Sequence, residues 1–234
     1  RTLSGRVDRP EDAEALAQRA AGEQADGVTL HVGGGFEDEG EMDRLVESVL
    51  EAAARHDMPM FIETHRATIT QDMWRTLRLV ERLPEVRFNG DFSHWYTGLE
   101  MVYGDFHAKL DQLAPVFERV GYLHGRIGNP GCIQVDIGDG SEVGRTHVTH
   151  FREMWTRSFE GFLRGARPGE FIGFAPELLP ARIAYARVFP GRDGVLTEEG
   201  DRWMQACQLG DLARLCFEQA QKRLAGVTHK RSEA

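Results

Sequence analysis

Five side chains of types that bind cations or transfer protons stand where short apolar segments of this sequence end. They are His31, Glu63, Asp91, His124 and Glu177. Carboxylates and imidazoles are common ligands of divalent cations and common general acids and bases in enzymes. Glu63, Asp91 and His124 follow one another at intervals of about 30 residues, the length of one strand–helix–strand unit. A longer insert, between residues 125 and 170, precedes Glu177. The spacing predicts that these side chains meet at the carboxyl ends of parallel strands.

Three carboxylates and one imidazole in a dry pocket need a compensating positive charge, because like charges a few ångströms apart repel one another. A divalent cation supplies that charge. An oxygen-rich ligand set with one nitrogen favours Mn²⁺ or Mg²⁺, and it is also compatible with Zn²⁺ or Co²⁺. Each residue has a structural alternative, since a lone acid after a strand often caps the next helix. The metal hypothesis therefore depends on four side chains falling in phase, with His31 as a supporting group.

The elements that must position these residues alternate along the chain. Strands are predicted at 28–32, 58–63, 86–91, 121–124 and 170–177, and helices at 13–21, 42–55, 71–82, 106–120, 149–164 and 201–224. This alternation predicts an α/β fold with a parallel sheet covered by helices. It is compatible both with an open doubly wound sheet and with a closed barrel. We interpret residues 1–234 as a single domain, because no low-complexity linker divides them.

Composition argues against several classes of partner. The net charge of −9 disfavours nucleic-acid binding, which usually needs a basic face. No apolar run reaches the about 18 residues that a membrane span requires. The 3 cysteines show no C-x-x-C spacing, which favours a reducing compartment and predicts a cytoplasmic location.

Four short segments carry a resemblance to a known family. They are FIETHR around Glu63, NGDFSHW around Asp91, YLHGR around His124 and FAPELLP around Glu177. These segments resemble the xylose-isomerase-like TIM-barrel superfamily, which contains sugar isomerases and epimerases as well as endonuclease IV. The resemblance spans about residues 28–180 and implies a (β/α)8 barrel. It also implies that Glu63, Asp91, His124 and Glu177 bind one divalent metal ion and that His94, three residues after Asp91, contacts the substrate.

The resemblance also implies a register within the barrel. If Glu63 ends the fifth strand, residues 28–32 form the fourth, and RTLSGRV at residues 1–7 is the exit of the third. Roughly two βα units would then lie upstream of Arg1. We therefore expect the barrel to lack its first βα units in this chain, either because the chain is part of a longer protein or because its early strands are disordered or removed.

The implied chemistry is proton transfer on a small keto-sugar or related hydroxy-ketone. Glu63 and Glu177 would remove and return a proton through an enediolate, as in a metal-dependent isomerase or epimerase of carbohydrate metabolism. His94 would hydrogen-bond the developing oxyanion. His31 is expected beside the substrate. Family members suggest a homo-oligomer.

Three further side chains are candidates for holding the sugar. Arg66 and Arg126 are candidate anchors, with a surface ion pair as the equal alternative. Trp95 is a candidate for stacking on the sugar ring, and ordinary packing is its more frequent alternative. The glycine-rich stretch HGRIGNPGCIQVDIGDG, residues 124–140, lacks the phosphate-binding motifs and is expected to form an active-site loop, since long loops in compact domains are often lids.

Other functions remain compatible with the same residues. A lyase, dehydratase or decarboxylase acting on a keto-sugar or keto-acid would form the same enediolate and then expel a leaving group. An endonuclease IV-like repair enzyme, which would need a three-metal cluster with Asp136 as a ligand, is disfavoured, because Gly138, two residues after Asp136, stands where that family needs a histidine. A non-catalytic sugar-binding barrel is the third alternative, and the presence of both glutamates and His94 argues against it.

Overall fold

The computed structural model describes residues 1–141 and 144–232, with side chains described up to residue 226. A parallel sheet is formed by β1 (Thr2–Val7), β2 (Gly27–Val32), β3 (Met60–Glu63), β4 (Phe88–Asn89), β5 (Val120–Gly125) and β6 (Gly173–Pro176). The strands lie side by side in their chain order. The predicted α/β fold with a parallel sheet is therefore confirmed.

Helices connect the strands and cover the sheet. They are α1 (Pro10–Gly22), α2 (Glu39–His56), α3 (Met73–Arg82), α4 (Ser93–Gly98), α5 (Phe106–Gln112), α6 (Ala114–Phe117), α7 (Thr146–Gly165) and α8 (Arg202–Ser232). Pro115 divides the helix predicted at 106–120 into α5 and α6. After β6 the chain forms a short 3₁₀ helix (Ala181–Ile183) and an antiparallel hairpin of β7 (Val188–Pro190) and β8 (Leu196–Glu198), which the sequence analysis did not predict.

The strand order decides between the two architectures that the sequence left open. A doubly wound sheet reverses its strand order at a switch point, whereas β1 to β6 run in unbroken succession. The sheet also curls. The Thr2 hydroxyl on β1 lies 3.0 Å from the Tyr122 hydroxyl on β5, although four strand intervals in a flat sheet would span about 19 Å. The sheet is thus an arc of a TIM-type barrel, as the resemblance implies.

Two predicted segments are seen in more detail in the structure. The strand predicted within residues 1–7 is present, and all six residues of β1 pair with β2. The glycine-rich stretch at residues 124–140, predicted to be an active-site loop, is closely packed, because Ile127, Ile133, Val135 and Ile137 are buried. The backbone N–H of Ile137 donates to the Gln205 side chain of α8 at 2.9 Å. This stretch is therefore packed against the barrel.

Three acidic residues elsewhere in the chain cap helices, which is the structural alternative to metal binding. Asp38, Asp72 and Asp105 each accept a hydrogen bond from a backbone N–H in the first turn of α2, α3 and α5. These three aspartates are helix N-caps, so their position before a helix is explained without a catalytic role. No helix in the described part of the chain is long and apolar enough to cross a membrane.

Candidate active site

The four residues predicted to bind a metal ion meet at the carboxyl ends of four strands. Glu63 is the last residue of β3, Asp91 follows β4, His124 lies near the end of β5 and Glu177 follows β6. One ligand atom from each lies within 4.8 Å of the ligand atoms of the other three. Glu63, Asp91 and His124 are buried and Glu177 is half-buried. The predicted convergence of these four side chains is thus present in the fold.

The two carboxylate oxygens of Glu63 contact different partners. Oε2 lies 3.1 Å from His124 Nδ1 and accepts a hydrogen bond from Asn89 Nδ2 at 3.2 Å. Oε1 lies 3.4 Å from His31 Nε2. His31 is therefore a neighbour of the candidate ligands, as expected for a supporting group.

Asp91 is held by the residues that follow it and by a buried arginine. Its Oδ1 accepts hydrogen bonds from the backbone N–H and the hydroxyl of Ser93 at the start of α4, and its Oδ2 accepts one from Arg126 Nη2. Asp91 and His94 share one side of this turn, with His94 Nε2 3.6 Å from Asp91 Oδ2. The D-x-x-H spacing thus places the two side chains next to each other in the site.

Glu177 is the most accessible of the three carboxylates, with 27% of its side chain exposed. Its Oε2 lies 3.6 Å from His124 Nδ1 and 2.9 Å from Arg126 Nη2. Glu63 and Glu177 therefore approach His124 from β3 and β6. A small molecule arriving from solvent would meet Glu177 before the other carboxylates.

Burial and neighbouring charges separate the pKa values of the two glutamates. Burial raises the pKa of Glu177 to about 7, and the Asp91 carboxylate acts in the same direction. Burial also acts to raise the pKa of Glu63, but the hydrogen bonds with His124 and His31 outweigh it and hold this pKa below its usual range. Two carboxyl groups with opposite shifts in one pocket are typical of an acid–base pair.

The two buried histidines respond differently to their surroundings. Burial acts to lower the pKa of His124, but the hydrogen bond with Glu63 outweighs it and raises the pKa. Burial lowers the pKa of His94 to about 3, and the Asp91 carboxylate offsets this only in part. His94 is therefore a neutral imidazole at physiological pH.

The donor set fits a divalent cation. Three carboxylates and one imidazole reach a common point, and their oxygen-rich chemistry is the type that Mn²⁺ and Mg²⁺ prefer and that Zn²⁺ and Co²⁺ accept. Glu63, Asp91, His124 and Glu177 are the residues that would hold the ion. Asp136, the acid considered for a multi-metal cluster, instead accepts a hydrogen bond from the backbone N–H of Gly138 in its own loop.

Three histidines form a second group beside these ligands. The ring centroids of His31 and His65 are 4.2 Å apart, and those of His65 and His94 are 3.9 Å apart. His31, Glu63 and His65 could also offer ligand atoms to a common ion. However, His65 Nδ1 accepts the Ala67 N–H bond, so the hydrogen of its neutral ring lies on Nε2. This group is therefore less suited to an ion than the four-residue set.

Three of the predicted substrate-binding residues are buried in the structure. Trp95 is fully buried and its indole N–H donates to the Thr70 carbonyl at 2.8 Å, so its predicted stacking on a sugar is wrong. His94 and Arg126 expose almost no surface and contact the candidate ligands instead of open space. Arg66 is exposed, and its guanidinium carbon lies 6.0 Å from the Tyr185 ring centroid.

Sequence reasoning missed other residues of the site. Asn89 lies two positions before Asp91, so strand alternation could have placed both side chains on one face. His65 lies two positions after Glu63 in ETHR. Tyr185 covers Arg126, with its ring centroid 4.9 Å from the guanidinium carbon, and no sequence pattern indicates that contact because it follows β6 in irregular structure.

Comparisons with known proteins found a similar solved structure and no matching family model or curated protein. Among solved structures, the crystal structure of the probable 3-DHS dehydratase AsbF, involved in petrobactin synthesis, from Bacillus anthracis, is similar with 21% sequence identity and a TM-score of 0.43. The match covers 55% of this chain and 51% of that chain. The function is therefore inferred from the side chains of the site.

Proposed function

We propose that this protein is a divalent-metal-dependent enzyme that isomerises or epimerises a keto-sugar or related hydroxy-ketone. The observation that carries the proposal is the convergence of Glu63, Asp91, His124 and Glu177 from four strands to one point. The resemblance of their sequence segments to those of sugar isomerases and epimerases supports the same conclusion. Mn²⁺ or Mg²⁺ is the favoured ion, because three of the four ligands are carboxylates.

The chain's own residues supply the proton chemistry. Glu63 and Glu177 would act as the acid–base pair of the reaction. One of them would remove a proton from the carbon next to the substrate carbonyl, and the other would deliver a proton to the other face or to the neighbouring carbon. The first outcome describes epimerisation and the second isomerisation. A bound divalent ion would polarise the carbonyl and the adjacent hydroxyl of the substrate.

Other residues of the pocket would position these two glutamates. Asn89 donates to Glu63, and Arg126 donates to Asp91 and forms an ion pair with Glu177. His31 and Arg66 lie on the solvent side, where a polar substrate enters. The buried Trp95 fixes the loop after β3 through the Thr70 carbonyl. The site is thus built on strand ends and braced by buried hydrogen bonds, as a proton-transfer site requires.

Proton exchange with solvent tests the proposal directly. The Mn²⁺-loaded protein is incubated with a panel of ketoses in deuterated water and followed by proton NMR. We expect deuterium to enter the carbon next to the carbonyl of at least one ketose, with the carbon skeleton conserved and a new stereoisomer or positional isomer formed. Loss of water, carbon dioxide or a carbon fragment would identify a lyase. Absence of exchange from every ketose and keto-acid, with the metal bound, would contradict the proposal.

A further inference from the structure

Arg126 places a full positive charge among the candidate metal ligands. Its Nη2 donates to Asp91 Oδ2 and to His94 Nε2 at 3.0 Å, and it lies 2.9 Å from Glu177 Oε2. These contacts reach two of the four residues that would hold the ion. The side chain is 1% exposed, so the charge is not screened by water.

Both oxygens of Asp91 are engaged in this arrangement. Oδ1 accepts two hydrogen bonds from Ser93, and Oδ2 accepts the one from Arg126. An ion that binds Asp91 must therefore share or replace one of these bonds. Arg126 Nη2 contacts both Asp91 Oδ2 and Glu177 Oε2, so it bridges the two carboxylates.

The rest of the guanidinium is fixed close to the ligands. Nε donates to the Ser93 hydroxyl at 3.0 Å, and the Tyr185 ring lies over the guanidinium. Nη1 is buried and has no hydrogen-bond partner among the described residues. A buried nitrogen without a partner costs free energy, so contacts with Asp91 and Glu177 must outweigh that cost for the side chain to stay.

From these contacts we infer that Arg126 is an internal cation that competes with the divalent ion for Asp91 and Glu177 and thereby limits the metal affinity of the site. This inference rests on the proposed function. Two cations a few ångströms apart repel strongly in a buried site, so the guanidinium and the ion oppose each other's binding to the same carboxylates. Removal of the arginine charge therefore leaves three carboxylates that attract the ion without competition.

The test is the affinity for Mn²⁺ of the purified protein and of three variants, measured by calorimetry at one pH and salt concentration. We expect Arg126→Met to lower the dissociation constant by at least about tenfold. Arg126→Lys keeps the charge, and we expect a dissociation constant within about threefold of the unmodified protein. Arg66→Met removes a second arginine beside Tyr185, one that forms no ion pair with a carboxylate among the described residues, and it should change the affinity by less than twofold.

Metal affinity separates this role from a purely structural one. If Arg126 only braced the ligands, its removal would weaken metal binding by the protein. Equal or weaker Mn²⁺ binding by Arg126→Met, with binding retained by the unmodified protein, overturns the inference and leaves the proposed function standing. Absence of Mn²⁺ binding by all four proteins overturns the proposed function itself. If Arg126→Met does not fold without metal, Arg126→Gln is refolded with Mn²⁺ present, and its dissociation constant is obtained by competition with a chelator.

Discussion

At the scale of single residues, the sequence identified the candidate ligands, together with Arg126 and His31, but missed Asn89 and Tyr185, which position them. Glu63, Asp91, His124 and Glu177 could be predicted because each follows an apolar segment and the strand ends of a parallel sheet share one edge. Trp95 was misassigned because an aromatic residue near a strand end is compatible with both packing and stacking. Tyr185 could not be found, because its contact with Arg126 is set by the path of the chain after β6.

Replacement of Glu177 by glutamine tests its role in proton transfer. The amide keeps the shape of the carboxyl group but does not accept a proton at neutral pH. We expect turnover to fall by about 10²- to 10⁴-fold, the usual contribution of a general acid or base. The melting temperature should stay within a few degrees, because Glu177 is partly exposed and its charge is opposed by Asp91.

Glu218→Gln on the exposed surface of α8 is the matched control and should retain full activity. Deuterium exchange into the substrate is measured for both variants alongside circular dichroism melts. Full exchange by a folded Glu177→Gln protein would remove this residue from the mechanism.

At the scale of elements, the sequence located helices well and short strands less well. The amphipathic pattern of α2 extends over several turns, so its position is strongly determined. By contrast, β4 has only two residues in the sheet although a strand is predicted over residues 86–91, of which only Val86 and Phe88 are apolar. The β7–β8 hairpin is mostly exposed, so no buried face gives it a periodic pattern.

Gly161 tests the close contact between α7 and the chain before β5. A Cβ at this position would lie 2.4 Å from the Phe117 carbonyl oxygen and 2.7 Å from Glu118 Cα, which are backbone atoms that cannot rotate away. Gly161→Ala should therefore destabilise the fold by about 1–3 kcal/mol, although alanine normally favours a helix.

Gly165, the last residue of the same helix, has no atom within 4 Å of the position that a Cβ would take. Gly165→Ala is expected to leave stability unchanged or to raise it by up to about 1 kcal/mol. Urea unfolding of both variants measures the difference. A stabilised Gly161→Ala protein would mean that α7 packs less closely than described.

His150 on α7 predicts a pH dependence of stability. Its ring stacks on Phe106 with centroids 3.6 Å apart, and Nδ1 lies 2.9 Å from the Tyr96 hydroxyl. Burial lowers its pKa to about 4, and His107 and His147 act in the same direction. The unfolded chain, with a histidine pKa near 6.5, therefore binds this proton more readily than the folded one.

The stability that His150 contributes is complete above about pH 6.5 and is lost as the pH falls toward about 4. Because the ring is only partly buried, we expect a loss of about 1–2 kcal/mol rather than the full amount that the pKa shift would imply. His150→Gln keeps an acceptor for Tyr96 but does not titrate. Free energies of unfolding at pH 7.5, 6.0 and 4.5 should fall less steeply for this variant, and parallel curves for the two proteins would contradict the assignment.

At the scale of the whole molecule, alternation of strands and helices predicted the layers but not the order of the strands. Hydrophobic periodicity reports which face of a strand is buried and contains no information on which strands are neighbours. The curl of the sheet, seen in the contact between Thr2 and Tyr122, depends on packing across the interior. Convergence of the four ligands could be predicted without the strand order, because the carboxyl ends of parallel strands lie on one side of any parallel sheet.

The concentration of negative charge at one end of the molecule predicts that divalent ions stabilise the whole fold. Glu63, Asp91 and Glu177 repel one another in a buried pocket, and an ion that binds only the folded arrangement shifts unfolding by mass action. At a free Mn²⁺ concentration of about 100 times the dissociation constant, the stabilisation is about 2.7 kcal/mol. For a chain of this size that corresponds to a rise in melting temperature of about 5–10 °C.

Two variants locate the source of that rise. Asp91→Asn removes a buried candidate ligand and should abolish most of the Mn²⁺-induced shift, whatever its own melting temperature without metal. Asp211→Asn removes an exposed carboxylate on α8 and should keep the shift intact. Calorimetric melts with Mn²⁺ and with a chelator measure both. An undiminished shift in Asp91→Asn would place the stabilising ion outside this pocket, because a buried carboxylate that bound the ion could not be neutralised without loss of affinity.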